Sequence, residues 1–230
     1  PISISLAITL LLMVALRPLA VGLGLVDRPG GRKAHVGEIP IVGGLAMFAG
    51  IFFGLAIIPD LAAGYWYLLL SGALLVIVGV LDDKYDIPAE IRLVAQTCAV
   101  IIMVYGGGLV VWSIGSPLGF GNIELGPFAL IFTVLVTLTV INAFNLVDGV
   151  DGLAGSMAII ALLGIVISGG AAADTTSIAG VVSASVVGFL VFNYPVYANR
   201  RLRSFMGDAG STLLGLVVVW LTIRVSQGDT

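Results

Sequence analysis

The chain has 230 residues, 59% of them hydrophobic and only 10% charged, with a formal net charge of −3. Soluble domains carry about 25% charged residues, so this composition excludes an ordinary water-soluble fold, and no nucleic-acid partner is expected. The single cysteine, Cys98, rules out an intrachain disulfide and is expected as a packed small residue in an apolar run.

The charges are confined to short segments. They leave uncharged gaps at residues 2–16, 39–59, 61–81, 93–123, 125–147, 152–173, 175–199 and 209–223. A helix needs roughly 20 apolar residues to cross about 30 Å of hydrocarbon, and only helices or closed barrels satisfy the backbone there. The runs are continuous rather than alternating, which excludes a barrel. The expected fold is all-α: a polytopic transmembrane helix bundle of about eight spans, in one domain covering residues 1–230. The first and last gaps are short, but Arg17 and Arg224 can snorkel to the interface. Residues Ile2 to Leu16 lack a basic n-region and a small-residue cleavage site, so they are expected as a retained first span.

In chain order, the first loop reads Asp27-Arg28-Pro-Gly-Gly-Arg32-Lys33-Ala-His35, followed by Ile39-Pro-Ile-Val-Gly43-Gly44. Clustered cations beside a membrane suit a lipid phosphate. His35 is the only histidine, which excludes a multi-histidine metal site in this chain; it is carried as a candidate substrate-binding residue.

The third gap ends in Leu81-Asp82-Asp83-Lys84-Tyr85-Asp86, with Arg92 opening the next helix. Adjacent carboxylates at a membrane edge repel each other and are costly unless a cation or solvent offsets them. Facing phosphates, they can hold Mg²⁺ or take a proton from a nucleophile.

Residues 109–126 place a Gly/Pro turn between two short β-prone runs, which predicts a small periplasmic β-hairpin. Next comes Asn142-Ala-Phe-Asn145-Leu-Val-Asp148-Gly-Val-Asp151-Gly152-Leu153. Asn142, Asn145 and Asp148 are spaced by three and share a helix face. Gly149 and Gly152 would let a ligand approach the backbone. Helix termination by Asp-Gly turns explains the glycines but not two asparagines inside an apolar segment.

The last charged segment, Arg200-Arg201-Leu-Arg203-Ser-Phe205-Met-Gly-Asp208-Ala-Gly-Ser211, opens the final helix. Asp208 and Ser211 suit a helix N-terminus, and free N–H groups beside arginines also suit phosphate.

Eight spans alternate the loops between two sides. One side holds residues 27–38, 82–92, 148–151 and 199–208; nine of the ten Lys and Arg, Arg17 included, fall on it, and only Arg224 leans the other way. By the positive-inside rule that side is cytoplasmic. Nine of the thirteen acids lie on the same side. The rule does not account for them, and a cation site does. A transporter would instead place its polar groups near mid-membrane in broken helices. An intramembrane aspartyl protease would need two aspartates facing each other within the bilayer.

At these motifs the chain resembles the polyprenyl-phosphate N-acetylhexosamine-1-phosphate transferases (glycosyltransferase family 4). Asp82-Asp83, Asn142…Asn145…Asp148-Gly-Val-Asp151-Gly-Leu153 and Phe205-Met-Gly-Asp208-Ala-Gly-Ser211 match the family in order and approximate spacing over nearly the whole chain. Within it the chain is more similar to the branch using UDP-N-acetylglucosamine than to the one making the peptidoglycan precursor. The resemblance implies attack of undecaprenyl phosphate on the β-phosphate of a UDP-amino sugar, with release of UMP, at a bacterial inner membrane. It implies Mg²⁺, with Mn²⁺ as the alternative, on Asp208 and Asn145. Asp82 is implied as the base, supported by Asp83, and Arg92 as a phosphate contact. Asp148, Asp151, Gly152, Leu153, Asn193 and Phe205 are implied around the nucleotide, Asn142 is implied as a further substrate-binding residue, and a homodimer is a candidate assembly. Family members carry a further His-x-His loop, so the chain is expected to be C-terminally truncated.

Overall fold

The computed structural model describes residues 1–28, 37–58, 64–117, 119, 121–168, 172–194 and 202–228. His35, expected at the site, lies outside the described residues.

Helix α1 (Ile2–Ala15) meets α2 (Arg17–Leu23) at 45°. Pro18 lies in the first turn of α2; a proline has no N–H to continue the ladder of α1, which accounts for the bend. Gly24 ends α2 at φ 71°, and Leu25 N–H donates to Ala20 O (2.8 Å), a left-handed helix stop. Strand β1 (Val26–Asp27) then pairs antiparallel with β2 (Ile39–Pro40).

The remaining elements are α3 (Gly43–Ala56), α4 (Gly64–Tyr85), α5 (Ala89–Ile101) with a π turn at Ile102–Gly106, α6 (Ala129–Val147), α7 (Leu153–Ile167), α8 (Ala173–Asn193) and α9 (Gly207–Ser226). Among the described residues five helices are long and apolar enough to cross a membrane, six if the bent pair is one span. The chain is thus an all-helical membrane protein.

The expectation of eight spans is met only in part. Every uncharged gap holds a helix, but α3 and α7 have just 14 and 15 residues. At 1.5 Å per residue these reach about 21–22 Å, short of a 30 Å core. Counting uncharged residues overestimates span length, because a gap also includes the turns that flank its helix.

The hairpin expectation is also met in part. Ile114 N–H donates to Ile123 O (3.1 Å) and Leu125 N–H to Trp112 O (2.8 Å), with one antiparallel bridge between Ser113 and Glu124. This is a single rung rather than a sheet; the two-stranded sheet lies elsewhere, at β1–β2. Cys98 is exposed rather than packed. An apolar run in a membrane helix covers both its lipid-facing and its protein-facing side, so apolar neighbours do not imply burial.

Helix α9 is the hub. It packs against α3, α4, α6, α7 and α8 and is the most buried of the five spans. Close approach is made by small residues. A Cβ on Gly79 of α4 would lie 2.4 Å from the backbone of Ala209, and one on Gly44 of α3 2.4 Å from Gly210 N. On the opposite flank α1 is fixed by buried hydroxyls: Ser5 donates to Val181 O (2.9 Å), and Thr9 pairs with Ser185 (2.9 Å). Packing α4 this tightly on α9 brings the end of one helix beside the start of the other.

Candidate active site

Asp82 and Asp83 occupy the last turn of α4. The chain reverses through Asp86, in the left-handed region at φ 51°, and re-enters a helix after Pro88. Asp82 closes this turn: Oδ1 accepts from Ile87 N–H (2.9 Å) and Oδ2 from Arg92 Nη1 (2.8 Å). Arg92 also reaches Asp208 Oδ2 (3.5 Å) and so joins the Asp82 and Asp208 carboxylates. Asn145 Nδ2 donates to Asp208 Oδ1 (2.7 Å) and to Ser211 Oγ (3.1 Å). Four helices thus converge on one polar centre.

The structure gives Asp83 a definite task. Its Oδ1 accepts from the backbone N–H of Asp208 (2.9 Å). A carboxylate of α4 therefore caps α9, where the helix dipole favours negative charge. The expected cap residues behave otherwise. Asp208 lies inside the first turn after Gly207, and Ser211 Oγ donates back to Gly207 O (3.1 Å). Asp208 is freed from capping its own helix, so its carboxylate can face Asn145 and Arg92.

These groups open on a cleft of about 440 Å³ lined by Leu75, Val78, Gly79, Asp82, Ala89, Arg92, Leu93, Ala95, Gln96, Asn142, Asn145, Leu146, Asp208 and Thr212. Five of the sequence-predicted residues, Asp82, Arg92, Asn142, Asn145 and Asp208, meet there.

Asp148 caps the C-terminus of α6 outside the membrane span. Burial pushes its carboxyl up to about 8, with the charges of Asp83, Asp208 and Asp151 adding to the shift.

The other predicted residues form a second cluster. Asp151 is bonded to Arg203, whose guanidinium lies 5.2 Å over the Phe205 ring. Gly152, at φ 75°, begins α7 and donates its N–H to Asn193 Oδ1 (2.7 Å), while Asn193 Nδ2 donates to Ser204 O (3.1 Å). Asn193 is only 4% exposed with both ends of its amide engaged, so it fastens the Gly152 turn to the backbone at Ser204. Leu153 is exposed at the start of α7. Arg17 Nη1 reaches Leu202 O, Arg203 O and Ser204 Oγ at 2.6–2.8 Å. An arginine expected to snorkel thus anchors the segment that leads into α9.

Gln96, Arg203 and Thr212 were not singled out from the sequence. Gln96 carried a readable signal: it is one helical turn from Arg92 in an otherwise apolar run, on the same face. Arg203 was legible only as one of a basic group suited to phosphate or to fixing topology.

Among the described residues no three His, Cys, Asp or Glu side chains form a metal cage. The donor set still fits Mg²⁺, which is usually held by one or two carboxylates together with substrate phosphates. Asp82 and Asp208 are hard oxygen donors that share Arg92, and Asp83 Oδ2 is buried without a hydrogen-bond partner.

Residues 65–226, which include every residue lining the cleft, match the family model of glycosyl transferase family 4. The chain belongs to that family. Among curated relatives it is 39% identical, over 235 residues, to the undecaprenyl-phosphate alpha-N-acetylglucosaminyl 1-phosphate transferase of Salmonella typhi, covering all of this chain and 62% of the relative. The proteins of the same name from Escherichia coli strain K12 (37% over 231 residues) and Haemophilus influenzae (35% over 221 residues) align with 100% and 95% of this chain and likewise 62% of their own length. The chain therefore spans about three fifths of the length of these relatives.

Proposed function

We propose that this protein transfers N-acetylglucosamine 1-phosphate from UDP-N-acetylglucosamine to undecaprenyl phosphate, releasing UMP, at the cytoplasmic face of a bacterial inner membrane. The observation that carries this is the meeting of Asp82, Arg92, Asn145 and Asp208 in one cleft at the ends of α4 and α9, in a chain of this family. Phosphoryl transfer asks a protein mainly for positioning and charge neutralisation, and this cleft offers hard anions, a guanidinium and amides. The ionisable groups sit at helix ends rather than at mid-membrane, which favours transfer over transport.

In this reading all eight uncharged gaps belong to membrane-crossing segments of one transferase domain, α3 and α7 with their flanking turns included. Asp82 takes the proton of the lipid phosphate. Arg92, already shared between two carboxylates, exchanges one of them for a phosphate oxygen. Asp208 and Asn145 would hold Mg²⁺, which when bound neutralises the pyrophosphate of the donor. Asp83 holds the first turn of α9 and so sets the direction of Asp208. Asp148, Asp151, Gly152, Leu153 and Phe205 surround the nucleotide, with Asn193 as their fastening. The test is UMP release by the complete protein in nanodiscs, supplied with Mg²⁺, undecaprenyl phosphate and UDP-N-acetylglucosamine. Release requiring both lipid and cation supports the proposal; no release from any UDP-amino sugar by folded protein sinks it.

A pH dependence follows from Asp148. With its carboxyl at about 8 it is largely protonated at neutral pH, and a nearby cation favours the ionised form. Rising pH removes that proton, so the Mg²⁺ concentration giving half-maximal rate should fall between pH 6.5 and 8.5. In Asp148→Asn the dependence should flatten. A wild-type Mg²⁺ requirement that does not change over this range would exclude Asp148 from the cation's surroundings.

A further inference from the structure

One layer of the cleft is not used by the reading above. Arg92 and Gln96 are one turn apart on α5, and Asn142 and Asn145 one turn apart on α6. Because the two helices run in opposite directions, Gln96 and Asn142 form an amide layer one turn deeper in the membrane than the charged layer of Asp82, Arg92 and Asp208. Gln96 is only 5% exposed and still lines the cleft. A buried amide in a membrane span is costly unless it is hydrogen-bonded.

The hydrogen bonds fix which end of each amide points where. Asn142 Nδ2 donates to Leu138 O (2.8 Å). A backbone carbonyl only accepts, so this bond sets the orientation of the Asn142 amide. Its other N–H donates to Gln96 Oε1 (2.7 Å), and that sets Gln96 in turn. The Gln96 Nε2 group is left with one long contact, 3.5 Å to Asn142 Oδ1. It carries two hydrogens. A buried donor is therefore under-used, beside the cleft and one turn from the guanidinium.

We infer that Gln96 Nε2 donates a hydrogen bond to the phosphate of the lipid acceptor, with Asn142 as the positioning residue that aims it. This rests on the transferase reading. A neutral donor suits this depth: it binds an anionic oxygen without the desolvation cost of a second cation. It also lies on the hydrocarbon side of Arg92, where a phosphate carried on a membrane-held chain arrives, whereas a soluble nucleotide sugar comes from the aqueous side.

Two substitutions separate donation from scaffolding. Gln96→Glu keeps the acceptor for Asn142 but removes the donor. Gln96→Leu removes both. Donation to phosphate predicts that Gln96→Glu raises the KM for undecaprenyl phosphate by about tenfold or more. Gln96→Leu should be no worse, and the KM for the UDP-sugar should stay within about twofold. A scaffolding role predicts the reverse order, with Gln96→Glu close to wild type. That order, or a rise confined to the UDP-sugar KM, overturns the inference. Binding of a short-chain polyprenyl monophosphate, followed by the shift it causes in thermal unfolding, tests the same contact without turnover. Loss of the shift in Gln96→Glu supports donation, and an undiminished shift or none in wild type overturns it. Wild-type protein that binds the lipid phosphate but releases no UMP would sink the transferase reading alone.

Discussion

Replacing Asp208 by asparagine should reduce UMP release by about a thousandfold or more, with little change in the amount of folded protein. The side chains are nearly isosteric, and the backbone N–H that Asp83 caps is unaltered. The polar bookkeeping is what fails. Asn145 Nδ2 needs an acceptor (2.7 Å) and so holds the new carbonyl oxygen toward itself. The new amide nitrogen is then turned toward Arg92, formerly 3.5 Å from a carboxylate oxygen. Donor faces donor, and a hard anionic ligand is gone. Asp82→Asn should lose as much by a related route, since Ile87 N–H and Arg92 both donate to its carboxylate at 2.8–2.9 Å. Undecaprenyl-phosphate-dependent UMP release, measured beside thermal unfolding of each variant, is the check. Retention of a tenth of wild-type activity by either variant would remove that residue from the chemistry.

A comparable loss should come from a residue with no functional group. Gly79→Ala places a methyl 2.4 Å from the Cα and N of Ala209 and 2.8 Å from the carbonyl carbon of Asp208. All of these are backbone atoms, so no side chain can swing away, and α4 and α9 must part. Overpacking of this kind costs about 1–3 kcal/mol of stability. The larger effect is on geometry, because Asp82 rides on α4 and Asp208 on α9. A displacement of about 1 Å between reacting groups costs on the order of a hundredfold in rate. Gly164→Ala is the control: it lies in a helix with nothing within 4 Å of the added Cβ, and it should change neither stability nor rate. The prediction fails if Gly79→Ala keeps wild-type turnover, since the helices then have slack that the packing does not show.

The sequence was informative about the site to the extent that the site is made of charge. Asp82, Arg92 and Asp208 were visible because charge in a lipid-embedded chain is rare and must lie near an end of a span. Asn142 and Asn145 were visible as polar residues at helical spacing in an apolar run. Asn193 was named through the family motif, but its task as a fastening between Gly152 N–H and Ser204 O was not. Asp83 was paired with Asp82 because the two are adjacent, yet on a helix adjacent residues point about 100° apart. One closes the α4–α5 turn and the other caps α9.

The sequence by itself determined that this is a membrane-embedded helical protein, the order of its helices, and the gathering of its acidic motifs on one side. Those conclusions need only the local cost of placing charge in hydrocarbon, which any stretch of chain reveals. The tertiary structure decided which face of each helix turns inward and therefore who meets whom: Asp83 with the backbone of α9, Gln96 with Asn142, Arg17 with the segment around Ser204. In a soluble helix an apolar stripe marks the inner face. In a membrane the outer face is apolar as well, so periodicity says little about rotation. The register is instead set by where small residues such as Gly79 and Gly44 let two backbones touch, and that becomes readable only when both helices are in place.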